Sequence, residues 1–124
     1  MKATAALLGT LLVLATTDVA RAVNMLAGPL FMTGDDVCEC EIVNVTTTAK
    51  TVQVQAIGSN GTVLADSMVM NLPGGQAAAL PSGTTGLQYC KFINASPTSF
   101  RASIACFFSG PTSAGSDFVT LPAR

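Results

Sequence analysis

Two cysteines stand one residue apart in the stretch CECEIVNV, residues 38–45, and two more, Cys90 and Cys106, follow singly. A Cys-x-Cys pair can grip a soft metal ion as thiolates or trade electrons as a dithiol. Neither use finds its ordinary partners. The chain has no histidine, so the mixed Cys/His ligand sets of zinc cannot be built, and the other thiols come one at a time. Without histidine the Ser/His/Asp and Cys/His nucleophile arrangements are also out of reach, and with no tryptophan and Tyr89 alone there are few stacking platforms. These residues predict a protein that is not an enzyme and has no catalytic, cofactor or metal site.

The remaining candidates are thinner. Asp35 and Asp36 follow Gly34 and offer oxygens of the kind calcium takes, but they lack spaced acidic partners, and a plain turn accounts for them. Glu39 and Glu41 alternate with the cysteines, which puts them on the solvent face of a strand as a solubilising strip or an acidic contact patch. The triplets NVT (44–46), NGT (60–62) and NAS (94–96) match the N-glycosylation acceptor at Asn44, Asn60 and Asn94, a modification that depends on the host. Pro97 follows the third, and Asn60 is needed in a turn. The net charge of -1 and six scattered basic residues give no electrostatic footprint for nucleic acid.

The compartment bears on what the thiols do. Lys2, the apolar stretch ATAALLGTLLVLATT (3–17) and the small residues of Ala20-Arg21-Ala22 predict a helical export signal over 1–22, cut after Ala22. The 15 residues between Lys2 and Asp18 fall short of the roughly 20 that span a bilayer, so no stable membrane insertion is expected after cleavage. The expected product, residues 23–124, is one secreted or periplasmic domain in an oxidising compartment.

The elements that must position the cysteines are strands. After residue 22 the apolar residues alternate in short runs punctuated by Gly, Pro, Asn and Ser, and none holds a helical period. Strands are expected near 27–32, 37–46, 50–57, 62–70, 75–80, 86–94 and 99–108, with the tail's Phe118, Val119 and Leu121 docking as a last edge segment. GSNG (58–61) predicts a hairpin in which Asn60 and Gly61 both take positive φ. NLPGG (71–75) predicts a crossing to another sheet, and ASP (95–97) a last hairpin. About seven short strands predict an all-β fold, an immunoglobulin-like antiparallel β-sandwich.

In that sandwich the second and sixth strands lie in opposing sheets, so Cys40 and Cys90 fit an inter-sheet bridge. Centring the last hairpin between Ser96 and Thr98 sets Cys106 opposite Gln88, two residues below Cys90, and Cys38 to Cys106 then forms a second rung. Of the three pairings four cysteines allow, Cys38 to Cys40 is strained on an extended strand and the third crosses the rungs. On β-alternation Met68 and Met70 share one face with Leu64 and Asp66, against Val63, Ala65 and Val69 on the other, an apolar-on-both-sides strand that suggests a protein interface.

The segments CEIVNV (40–45), LPGG (72–75), YCKF (89–92) and FRASI (100–104) resemble those of small secreted bacterial β-sandwich proteins of uncharacterised function, and the architecture is similar to immunoglobulin-like domains. The resemblance implies export and a sandwich and carries over no active-site residue. The expected function is a non-catalytic, disulfide-stabilised structural or interaction module with a protein partner. A pilus-type surface-assembly subunit and a small-ligand-binding module are the alternatives.

Overall fold

The computed structural model describes residues 23–32, 37–82, 85–108 and 117–124. The expected export signal over 1–22, and Asp35 with Asp36, lie outside the described residues. The described chain is all β and contains no helix: β1 (Met25–Met32), β2 (Val37–Asn44), β3 (Lys50–Gly58), β4 (Val63–Leu72), β5 (Ala77–Ser82), β6 (Gly86–Ile93), β7 (Phe100–Phe108) and β8 (Asp117–Pro122). These form two four-stranded antiparallel sheets, a first ordered β1-β6-β3-β4 and a second ordered β5-β2-β7-β8.

The period-two pattern decides which side chains meet between the sheets. Along β2 the buried positions are Cys38, Cys40, Ile42 and Asn44; from the facing sheet come Val52, Val54, Cys90 and Phe92. Phe92 and Phe100 are the largest fully buried side chains, each contributing about 2–3 kcal/mol of apolar burial. One corner of the sandwich is closed by backbone: Leu26 N–H donates to Arg124 O and Arg124 N–H to Leu26 O, both at 3.0 Å. This joins the first sheet to the segment that follows β8.

The turns depart from expectation in ways that matter. In the β3–β4 loop Gly61 N–H donates to Gly58 O at 2.9 Å, and Gly61 alone takes positive φ, at 80°. Asn60 does not share it, because its side-chain Oδ1 instead accepts the Thr62 N–H; the loop is an ordinary turn closed by a left-handed glycine. At NLPGG the chain does change sheet, from β4 to β5.

The last hairpin does not form. β6 pairs with β1 and β3, β7 pairs with β2 and β8, and Gln88 lies opposite Leu30 and Gly58 rather than Cys106. Three local features make the 94–99 segment a corner. Asn94 is left-handed at φ 62°, Ala95 is tucked into the core, and Val45 N–H takes Ser99 O at 2.9 Å, which hooks the chain onto the end of β2. The inner pairings β2–β5, β3–β6 and β3–β4 are those of an immunoglobulin sandwich, but β1 and β7 have exchanged the outer places that order gives the first and last strands.

Candidate functional site

The four cysteines meet as two disulfides, Cys40–Cys90 and Cys38–Cys106, and no described cysteine is free. Cys40–Cys90 spans the sheets, with Cα atoms 5.6 Å apart. Cys38–Cys106 is no second rung between sheets: Cys38 and Cys106 are direct cross-strand neighbours on β2 and β7, at a Cα separation of 4.1 Å. That is the close spacing of a pair whose backbones do not hydrogen-bond to each other. Every sulfur is buried, so this is covalent core and offers no thiol for chemistry. Among the described residues no group of three or more His, Cys, Asp or Glu is placed to hold a metal ion.

Asn44, which carries the first glycosylation triplet, is fully buried. Its Nδ2 donates to Thr48 O at 2.8 Å and Leu72 O at 2.9 Å, while Oδ1 accepts the Thr46 N–H at 3.0 Å and hydroxyl at 2.8 Å. The amide is consumed by the fold and is closed to a glycan in the folded protein. It binds two loops together, because Gly75 N–H also donates to Asn44 O. Gly74 lies so close beneath the 46–48 loop that a Cβ there would meet the Thr47 carbonyl carbon at 2.5 Å. Asn60 and Asn94 are exposed.

Met68 and Met70 do not share a face. Between Gln53 opposite Val69 and Gln55 opposite Asp66, β4 carries one residue more than β3, and this bulge inverts the parity of everything beyond it. Met70 therefore pairs with buried Val52 and packs on the core, whereas Met68, at φ 59°, is 71% exposed. The bulge is built from side chains. Ser67 Oγ accepts the Val54 N–H at 2.9 Å and donates to Met68 O at 2.8 Å. Asp66 accepts from Gln53 Nε2, Gln55 Nε2 and the Met68 N–H at 2.8–2.9 Å. The hydrogen bonds from Gln53 and Gln55, then that of Met68, hold the exposed Asp66 carboxyl below its ordinary value.

The outer faces of the two sheets differ. On the second, half-buried Glu39 and Glu41 stand outward as expected, with Ser103 Oγ donating to Glu41 Oε2 at 3.3 Å. Beside them a hollow of about 430 Å³ is lined by Met25, Glu41, Phe100 and Arg101 among others. On the first, register aligns three consecutive rows across β6, β3 and β4: Lys91–Gln55–Asp66, Ile93–Gln53–Val69 and, past a second register shift between Ala56 and Ile57, Tyr89–Ile57–Val63, in which Ile57 itself is buried. Leu26 extends the Lys91 row on β1, and exposed Phe31 lies opposite Leu87.

No protein-family model matches the chain, and no curated protein matches its sequence. In three dimensions it is similar to the crystal structure of Thermotoga maritima 1070, with a TM-score of 0.60 and 5% sequence identity, covering 82% of this chain and 91% of that one. The likeness is one of fold.

Proposed function

We propose that this is an exported, non-catalytic β-sandwich that serves as a structural or protein-interaction module, stapled by its disulfides for life outside the cytoplasm. The observation that carries this reading is the pair of buried disulfides in a small all-β domain. Cysteine pairs of this kind persist in oxidising compartments, and small exported domains use them to supplement a modest core. Closing loops of 50 and 68 residues is worth about 4 kcal/mol for the first bridge and less for a second, nested one, comparable to the whole net stability of such a domain.

Peptide mass spectrometry, with and without reduction, on the full chain expressed in a host with an oxidising periplasm tests the reading. The expected result is a periplasmic product beginning at Val23 with both bridges intact. A product retained inside the cell, folded, with four free thiols would overturn it.

The surface-assembly alternative draws little support from the sheet edges. β1 carries Pro29 and a register shift, β4 a bulge, β5 Pro81 and β8 Pro122. Proline and bulges blunt strand-on-strand addition. The ligand-binding alternative has one feature in its favour, the hollow at Arg101 and Glu41, which offers both charge signs over the apolar Met25 and Phe100. A raised melting temperature with amphipathic zwitterions, abolished by Arg101→Ala, would support it.

A further inference from the structure

We infer that the outer face of the first sheet is a homodimer interface, in which two copies pack face to face about a twofold axis lying along β3. This rests on the interaction-module reading and names its partner as a second copy of this chain. The face is self-complementary in three consecutive rows. β3 lies between β6 and β4, so a twofold axis along β3 lays each residue of β6 over the residue of β4 in the same row of the second copy. Lys91 then faces Asp66 twice, on either side of Gln55. In the rows to either side Tyr89 faces Val63 and Ile93 faces Val69. Across these rows apolar meets apolar and cation meets anion, and on the axis Gln53 and Gln55 each meet their own copy.

The charge pattern makes this arrangement specific. Among the described residues of β1, β6, β3 and β4, Lys91 and Asp66 are the ionised groups in outward register; Arg124, bonded to Leu26 beyond β1, lies outside the paired rows, and Lys50 pairs with buried Leu72 and so stands in inward register. The two charges sit two strands apart, about 10 Å. A twofold axis across the strands would set Lys91 against itself, and like charges facing each other repel. The paired rows also carry apolar surface that the monomer leaves to water: Val69 is 67% exposed and Val63 47%. Exposed apolar groups gathered on one face mark an association surface. The prolines and bulges at the sheet edges leave a face, rather than an edge, as the route to association.

Sedimentation equilibrium of the oxidised full chain tests the interface. The wild type is expected to dimerise by about 100 µM, within reach of an ordinary specific interface. Lys91→Glu and Val69→Lys should each weaken the dimer by about tenfold or more, and the exchange Lys91→Asp with Asp66→Lys should restore most of the loss. Val69→Lys leaves the Asp66 hydrogen bonds untouched, so it decides the matter if the exchange disturbs the bulge. A wild type monomeric at that concentration, or a dimer indifferent to both Lys91→Glu and Val69→Lys, would overturn the interface. The bridge map obtained by mass spectrometry would still stand, which separates this failure from that of the export reading.

Discussion

Asn44 and Asp66 are each the centre of four or more hydrogen bonds made by one short polar side chain, and each holds an irregular piece of backbone in place. Asn44 ties the 46–48 loop to Leu72 at the end of the sandwich. Asp66 ties the bulge in β4 to Gln53 and Gln55 on β3. One is fully buried and the other fully exposed. When Asn44 is lost, the carbonyl of Leu72 has no water to turn to. When Asp66 is lost, solvent takes up its donors. A count of hydrogen bonds ranks the two equally, whereas the cost of an unsatisfied group ranks them far apart.

The sharpest way to break this comparison is Asn44→Ala, expected to cost about 3–4 kcal/mol because buried donors and acceptors are orphaned together. Urea unfolding with unchanged slope would measure it. Asn44→Asp keeps the shape but points a carboxylate at Thr48 O and Leu72 O, so it should do no better. A loss under about 1 kcal/mol for both would mean that burial is not what distinguishes the two sites. Next comes Gly74→Ala, whose Cβ lands against the Thr46–Thr47 backbone, with an expected cost of about 2 kcal/mol from forced displacement. Since it acts on the loop that Asn44 secures, the double variant should fall short of the sum of the singles.

Much of the frame was legible in the residues. Alternation along CECEIVN places Cys38, Cys40 and Ile42 inward, and the turn residues at GSNG and NLPGG mark a hairpin and a sheet crossing. What escaped the reading are the places where one residue changes parity or one corner changes partner. No period-two count registers the extra residue near Ser67. The signal was there in chemistry: Asp66 and Ser67 are adjacent short polar side chains able to bond their own backbone, in the middle of an apolar strand. Asn44 was open to a similar reading, since asparagine at a strand end followed by Thr46 favours a side-chain turn. The choice of β7 between β6 and β2 is non-local; ASP suits a hairpin and a corner equally, and Val45's hold on Ser99 decides it.

The exposed half of the comparison gives smaller effects. Ser67→Ala removes the acceptor of the half-buried Val54 N–H and should cost about 1 kcal/mol, without shifting the bulge while Asp66 still holds the Met68 N–H. Asp66 itself should matter least, and through pH. Its carboxyl titrates lower in the folded chain than in the unfolded one, because Gln53, Gln55 and the Met68 N–H favour the charged form. Such a group contributes stability that is present above its unfolded pKa and is lost as pH falls through the folded value. The stability gap between wild type and Asp66→Asn should therefore be small at neutral pH and close on acidification through the carboxylate range. Asn44→Ala should keep its full deficit across the same range, since no proton is involved. If the Asp66→Asn gap instead held constant down to acid pH, the carboxylate's charge would be irrelevant to the bulge, and shape alone would hold Met68 in its left-handed turn.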